Sequence, residues 1–394
     1  MVPKDKSLHK TRGYSVSVVS LPIALMFAKL SATIPDAGGV SSFVRKAMGN
    51  TAGDIAGWLY LWIIPIGQPT VVLSGLFYAQ FVLHLPNWSL YILAWVILST
   101  AGVINITGTK VSIRLQSIVV ALIIILLLVT ITAGLAHAHS GNFHPLLLHG
   151  WAGVGAAGAL IMWAYVGWEN VSSIAEDFKN PARDFIISVV ISVIVISFLY
   201  TGTTAAVIGV IPHSKLASTT APLAAVLSNS IGSWAGWVAA AISIMIVAGS
   251  AIAFIWGGSS LAASLARSKS LPKSFSVTNN KGSFYKSVLA LMSVYTIVLL
   301  AFYLHWLNLD LAAKIVGGSA IITYGLAAIS YLRLIRPLSL KNWISPAITA
   351  LFVIVLLPFF GKALLFQLAI VIAYLVSLAI RNRYKNEEFS NIQG

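Results

Sequence analysis

Apolar positions in this chain neither alternate nor recur every third or fourth residue. They run on without a break for the length of a membrane-crossing helix, and do so repeatedly. About eleven such runs are predicted, near 14–34, 52–83, 87–106, 115–137, 153–176, 185–211, 232–266, 286–305, 309–333, 343–360 and 363–381. The runs at 52–83 and 232–266 exceed what one straight crossing needs, so they tilt, bend or continue past the bilayer. A β-barrel would show short alternating strands instead, so the pattern predicts an all-α polytopic membrane protein. The polar stretches between runs are short except around 35–50, 138–152, 212–231 and 267–285.

Composition agrees with the pattern. Of 394 residues, 58% are hydrophobic and 9% charged, with a mean hydropathy of +0.90, which excludes a soluble domain of this length. No short apolar core followed by a small-residue cleavage site opens the chain, so no cleaved signal is expected. Cysteine is absent, which removes disulfides, thiolate metal sites and a cysteine nucleophile. The formal net charge of +15 is a matter of sidedness rather than of nucleic-acid binding. Seventeen Lys and Arg fall on one set of connections, among them Arg45, Lys46, Arg267, Lys273, Lys281, Arg333 and Arg381, against Lys215 and Lys362 on the other. The rich side is cytoplasmic and includes the C-terminus. Eleven spans then place the N-terminus outside, although Lys4, Lys6, Lys10 and Arg12 favour the inside. A further helix ahead of residue 14 would remove the conflict, so a missing leading helix is expected.

The chemistry concentrates in one run. Trp163, Ala164, Tyr165, Val166, Gly167, Trp168 and Glu169 put three large aromatics, a glycine and a carboxylate in mid-segment. Acids are tolerated there only beside protein or water. A relaxed turn at Gly167 frees backbone N–H and C=O groups, which discontinuous helices use for a substrate's carboxylate and ammonium. Glu169 has three readings: contact with an ammonium, a proton carrier, or a tie between helices. Pro65 and Gly67, with Gln68 and Pro69, loosen the second run; the kink serves packing or shapes a cavity. Pro35, Asp36, Gly38 and Gly39 make a turn, followed by a short amphipathic piece with Phe43, Val44 and Ala47 inward and Arg45 and Lys46 towards water. Gly257, Gly258, Gly317 and Gly318 read as helix-crossing points, with Ser259 or Ser260 as extra ligands for an ion or substrate. Lys29 and Lys314 lie near span ends and snorkel. His137, His139, His144 and His149 match no closed metal site. With no P-loop, GxSxG or HExxH either, neither enzyme, metal nor cofactor is expected.

Two stretches carry a family resemblance. Ser20 to Ala28, Pro35 to Gly39, Phe43, Val44, Gly49, Gly57 and Trp58 form one. Trp163 to Glu169, with Glu176, Asp177, Lys179, Asn180, Pro181, Arg183 and Asp184, forms the other. Together they resemble the amino acid–polyamine–organocation transporter superfamily, and within it bacterial exporters of methionine and branched-chain amino acids. The resemblance implies a LeuT-type fold: two five-helix repeats of inverted topology plus two helices. Here that means one membrane domain over 1–394, a first repeat at 14–137 lacking its first helix, a second at 153–333, and added helices at 343–381. It implies a gating role for Trp163 and an unwound stretch from Ala164 to Gly167. Some relatives carry a mid-membrane Lys on their fifth helix; residues 118–133 contain none, so sodium, proton and exchange stay open. The implied function is secondary transport of a neutral, apolar amino acid by alternating access in the cell membrane, with a homodimer open. The competing expectation is a truncated remnant that inserts but does not transport.

Overall fold

The computed structural model describes residues 12–34, 39–108, 113–144, 150–168, 183–184, 186–216, 218–336 and 339–393. Among them every regular element is helical. In order these are α1 (Arg12–Thr33), α2 (Val40–Met48), α3 (Asn50–Leu83), α4 (Asn87–Ile106), α5 (Ile113–Ala136), α6 (Gly150–Ile161) and α7 (Ile186–Val210). Then follow the short α8 (His213–Leu216) and α9 (Pro222–Ile231), and α10 (Trp234–Arg267), α11 (Tyr285–Tyr303), α12 (Leu309–Leu334), α13 (Leu340–Leu356) and α14 (Leu364–Gln393).

Eight stretches among the described residues are long and apolar enough to cross a membrane. The last, Asn342–Arg383, covers the two expected runs at 343–360 and 363–381, folded at Gly361 with φ 52°. The remaining expected runs begin in α1 and α6. In α1 the apolar stretch Ser20–Thr33 is short; in α6 regular helix stops at Ile161, and 169–182 lie outside the described residues.

Element ends follow local chemistry. The Asn308 side chain accepts from the Leu311 N–H at 2.8 Å and caps α12. Pro222 opens α9, where no N–H is needed. Pro65 and Pro69 lie inside α3, yet the helix runs on for 34 residues. At 1.5 Å per residue that is about 50 Å, against a hydrocarbon core of about 30 Å. The prolines therefore remove ladder bonds without ending the helix.

Burial separates inside from outside. In their spanning windows α3 and α12 are 72% buried, whereas α7 is 17% buried. The two buried helices form the centre, and the exposed Ile191, Ile194 and Phe198 of α7 face lipid, where apolar surface is at home. Exposed Trp88, Trp151, Trp234, Trp237 and Trp306 sit at helix ends that alternate crossing places on one side, as in an interfacial aromatic belt.

The packing has a pairwise order. α1 lies on α7, α3 on α10 and α4 on α11, while α2 rests on α3 as α9 rests on α10. Partners have similar lengths: 34 residues each in α3 and α10, 20 and 19 in α4 and α11, 9 and 10 in α2 and α9.

Small residues set the approach. A Cβ on Gly75 would stand 2.3 Å from a Val247 methyl, so α3 and α10 meet there. A Cβ on Gly53 would stand 2.5 Å from the Arg45 Cβ and 2.9 Å from the Ser41 carbonyl oxygen, which puts α2 directly on α3. Arg45 consequently does not face water as the sequence pattern suggests. It turns back to Asp54 at 2.6 Å, and the Tyr374 hydroxyl donates to the other Asp54 oxygen at 3.1 Å. Asp54 is buried and needs both partners. Lys46 is exposed. Lys29 donates to Asn342, and Lys314 pairs with Asp310 at 3.1 Å, so each of these lysines finds a partner near its span end.

Gly53→Ala is expected to destabilise the protein by about 1–3 kcal/mol, because its neighbours there include backbone. Gly249→Ala, with open space around it, is expected to be neutral or mildly stabilising. Thermal unfolding of the two detergent-solubilised variants checks the pair; equal melting points would contradict the packing.

Candidate functional site

The central feature is the end of α6. Regular helix gives way to a tighter turn over Met162–Tyr165, Val166 is extended (φ −71°, ψ 130°), and Gly167 has φ 140°. This is the relaxed stretch expected at Tyr165 to Gly167. A β-carbon is disfavoured at such a φ, which accounts for glycine there.

The break is held from several sides. α12 carries Gly317, where a Cβ would stand 2.9 Å from the Phe360 ring and 3.2 Å from the Ala159 carbonyl oxygen. The bare glycine lets α6 and the turn before α14 seat on α12, so Gly317 is a crossing point, as expected. Gly318 lies against Gln367 of α14, whose Nε2 donates to the Ile315 carbonyl at 2.7 Å. The carbonyls of the Ala164–Tyr165 turn meet side chains of two neighbouring helices. The Tyr200 hydroxyl of α7 donates to the Ala164 carbonyl at 3.3 Å, and the Tyr324 hydroxyl of α12 donates to the Tyr165 carbonyl at 3.2 Å. The Tyr165 ring meets Tyr200 edge-on at 5.4 Å, and the Tyr324 ring meets Phe27 of α1 at 5.1 Å.

The expected site residues divide as follows. Trp163 is half-buried. Its indole nitrogen and the Val316 methyls stand over the bare face of Gly67, 3.8 Å and 3.5 Å from where a Cβ would sit. Trp163 and Gly67, about a hundred residues apart in the chain, thus meet, with Val316 as a third wall. Pro65 is buried in the same helix. Tyr165 is 5% exposed and Trp168 8%, and Trp168 Nε1 has no hydrogen-bond partner among the described residues. Ala164 is exposed, while Val166 and Gly167 are half-buried. Glu169 lies outside the described residues, as do Pro35 to Gly38 and Glu176 to Asn180. Ser259 donates to the Trp256 carbonyl at 3.0 Å within its own helix.

Sequence reasoning missed Tyr200, Tyr324 and the role of Gln68. Gln68 is 2% exposed. Its Nε2 donates to Ser250 Oγ at 3.0 Å, and Ser250 in turn donates to the Val247 carbonyl at 3.0 Å. The serine proton is committed, so the serine oxygen accepts, which fixes the amide with its oxygen as the free end. That oxygen has no partner among the described residues. A lone amide within an apolar run was the available signal.

These features define a polytopic helical membrane protein in which α6 ends at Ile161 in a turn set beside aromatics, a glycine and a valine. A family-wide sequence profile described as amino acid permease matches residues 14–383, and the chain belongs to that family. It is 28% identical over 306 residues to the uncharacterized amino acid permease YecA of Bacillus subtilis, covering 77% of this chain and 72% of that one. It is 28% identical over 234 residues to the L-methionine/branched-chain amino acid exporter YjeH of Escherichia coli, covering 58% and 54%. A third relative is the branched-chain amino acid permease BcaP of Bacillus subtilis, 28% identical over 295 residues, covering 68% and 63%. The matches thus span less than two thirds of the latter two proteins. The relatives are transporters rather than enzymes.

Gly167→Ala is expected to cost about 1–3 kcal/mol through backbone strain, since no described residue stands within 4 Å of the added methyl. Thermal unfolding compared with Gly249→Ala checks this. An unchanged melting point would mean that the turn relaxes to a helix without loss.

Proposed function

We propose that this chain is a secondary transporter that carries a neutral, apolar α-amino acid across the cell membrane by alternating access, through exchange or with a proton. The observation that carries the reading is the helix break over Met162–Gly167, set against Gly67 and Val316. A broken helix at membrane depth supplies backbone groups to a polar headgroup, while its neighbours line the rest of the pocket. Trp163 to Trp168 and Glu169 form the substrate-binding stretch in this reading, with Pro65 and Gly67 shaping the opposite wall. Trp163, Val316 and the bare Gly67 offer an apolar surface to a side chain. The names of the relatives support the same class: one exports L-methionine and branched-chain amino acids, another is a branched-chain permease.

The pairwise packing supports two repeats, α1 to α5 and α6 to α12, with α13 and α14 added. Each proposed partner is the fifth crossing after its mate, so the two run in opposite directions through the bilayer. The excess of Lys and Arg on one side supports a cytoplasmic C-terminus.

The test is uptake of labelled L-methionine and L-leucine into liposomes containing the purified protein. Saturable uptake above that of protein-free liposomes is expected. Acceleration by unlabelled amino acid inside marks exchange, and acceleration by external acid marks proton coupling. Trp163→Ala should lower uptake at least about tenfold at equal protein content, as the loss of a well-packed tryptophan contact implies. No uptake of any neutral amino acid would sink the reading and favour a non-transporting protein. The same preparation, sized in nanodiscs, separates a single chain from the pair that the resemblance implies.

A further inference from the structure

We infer that the hollow between the end of α4 and the connection from α10 to α11 binds an anionic phospholipid, with the phosphate headgroup against Lys281 and Lys286 and the acyl chains on the exposed flanks of α4 and α11. The inference asks only that these helices cross a membrane, and it stands apart from what the protein carries.

The connection carries a dense positive charge. Residues 267–286 hold Arg267, Lys269, Lys273, Lys281 and Lys286 and no Asp or Glu, and all five cations are exposed. It is also a built structure. Asn279 Oδ1 accepts from the backbone N–H groups of Lys281 and Ser283, each at 3.0 Å, and the Asn279 N–H donates to the Ser283 carbonyl at 2.9 Å. These bonds close a tight turn that presents Lys281. The Asn279 amide nitrogen donates to the Ile106 carbonyl at 2.8 Å, and a Cβ on Gly108 would stand 2.8 Å from the Lys281 carbonyl oxygen. The turn is therefore seated on the end of α4. Further along, Ser287 Oγ donates to the Phe275 carbonyl at 2.8 Å and fastens the connection to α11.

The hollow so formed has a volume of about 510 Å³, within the range of roughly 300–1,000 Å³ common for small-molecule sites. Its wall includes Ile106, Thr278, Asn280, Lys281 and Tyr285. Lys286 Nζ lies over the Tyr285 ring at 5.9 Å, and the Arg267 guanidinium over the neighbouring Phe284 ring at 5.6 Å, so two further cations stand close by. An ammonium, an amide and a hydroxyl all donate hydrogen bonds, and charged donors suit phosphate oxygens best.

The surface beside the hollow is what selects a lipid over a soluble phosphate. Gly102 of α4 meets Met292 of α11, where a Cβ would stand 2.7 Å from the sulfur. Next to this contact Val103 and Leu289 are 59% and 51% exposed. They lie about one turn deeper than Ile106 and Tyr285, on helices long and apolar enough to cross a membrane. A headgroup in the hollow thus puts its chains on apolar surface that a soluble phosphate ester leaves unused. In the proposed orientation this leaflet is cytoplasmic, and anionic lipids there attract basic segments.

The experiment compares the parent with a Lys281→Ala/Lys286→Ala double variant in a non-ionic detergent. Melting temperature is followed as dioleoylphosphatidylglycerol or dioleoylphosphatidylcholine is added. The parent is expected to gain more from phosphatidylglycerol than from phosphatidylcholine. In the double variant the half-effective phosphatidylglycerol concentration should rise roughly ten- to thirtyfold, since each basic residue near a charged membrane surface is worth about fivefold. Its response to phosphatidylcholine should not change. A Lys215→Ala/Lys362→Ala variant, which removes two cations from the opposite side, should behave as the parent. Thr278→Trp fills the hollow without changing charge and should weaken the phosphatidylglycerol response.

An equal response of the parent to both lipids, or an unchanged phosphatidylglycerol response in the Lys281/Lys286 variant, would overturn the inference. So would sn-glycerol 3-phosphate giving the same gain at the same concentration, because the ligand would then be a soluble phosphate ester. A Thr278→Trp response equal to that of the parent would overturn it too, by leaving only diffuse charge attraction. Should the double variant fail to fold, Lys281→Ala alone carries the test, with a shift of about fivefold expected. No step measures transport, so a protein that moved no amino acid would end the functional reading and leave this result standing.

Discussion

Backbone polar groups inside a bilayer need partners, and the centre of this protein is organised around that requirement. A continuous helix satisfies its own carbonyls. Where regular helix ends, as it does at Ile161, side chains of neighbouring helices can share that work. α7 and α12 do so with tyrosine hydroxyls on two consecutive carbonyls. The glycine at 167 makes the turn possible, and the glycine at 317 lets α6 seat closely enough on α12 for Tyr324 to reach. The position of the broken segment is therefore a property of three helices together.

Around that segment the frame is tight. α3 and α10 approach at Gly75 and Val247, and α2 is pressed on α3 at Gly53. The ion pair of Arg45 with Asp54, completed by Tyr374, ties the end of α2 and the start of α3 to the interior of α14. Trp58 adds an edge contact to Tyr374 and a hydrogen bond to Ser270 at 2.9 Å. A buried acid with two partners fixes geometry more than it adds stability. Gln68 fits the same frame: Ser250 and Val247 orient its amide, whose oxygen has no partner among the described residues.

Family membership and site geometry bear on function differently. The family match covers almost the whole length, from residue 14 to 383, and sets the protein among amino acid permeases. The geometry adds a local fact: Trp163 and Val316 pack over the bare face of Gly67 beside the turn that ends α6.

Much of the fold was legible in the sequence, since a bilayer imposes length and polarity on each crossing separately. The runs at 52–83, 87–106 and 309–333 became α3, α4 and α12 with small shifts at their ends. The relaxed turn at Gly167 was also legible, because glycine among aromatics is a local signal. Arg45 was misjudged: its helical face points outward, but Asp54 lies nine residues on and the fold brings the two together. The two prolines of α3 mark lost ladder bonds, and the helix continues through both. Tyr200 and Tyr324 were silent in the sequence. A tyrosine in an apolar helix says nothing about where its hydroxyl ends, and that depends on which carbonyl the fold brings within reach. Hydrophobic length is a property of one segment, and the sequence by itself determined it. Partnership between segments is not, and only the tertiary structure decided which hydroxyl meets which carbonyl.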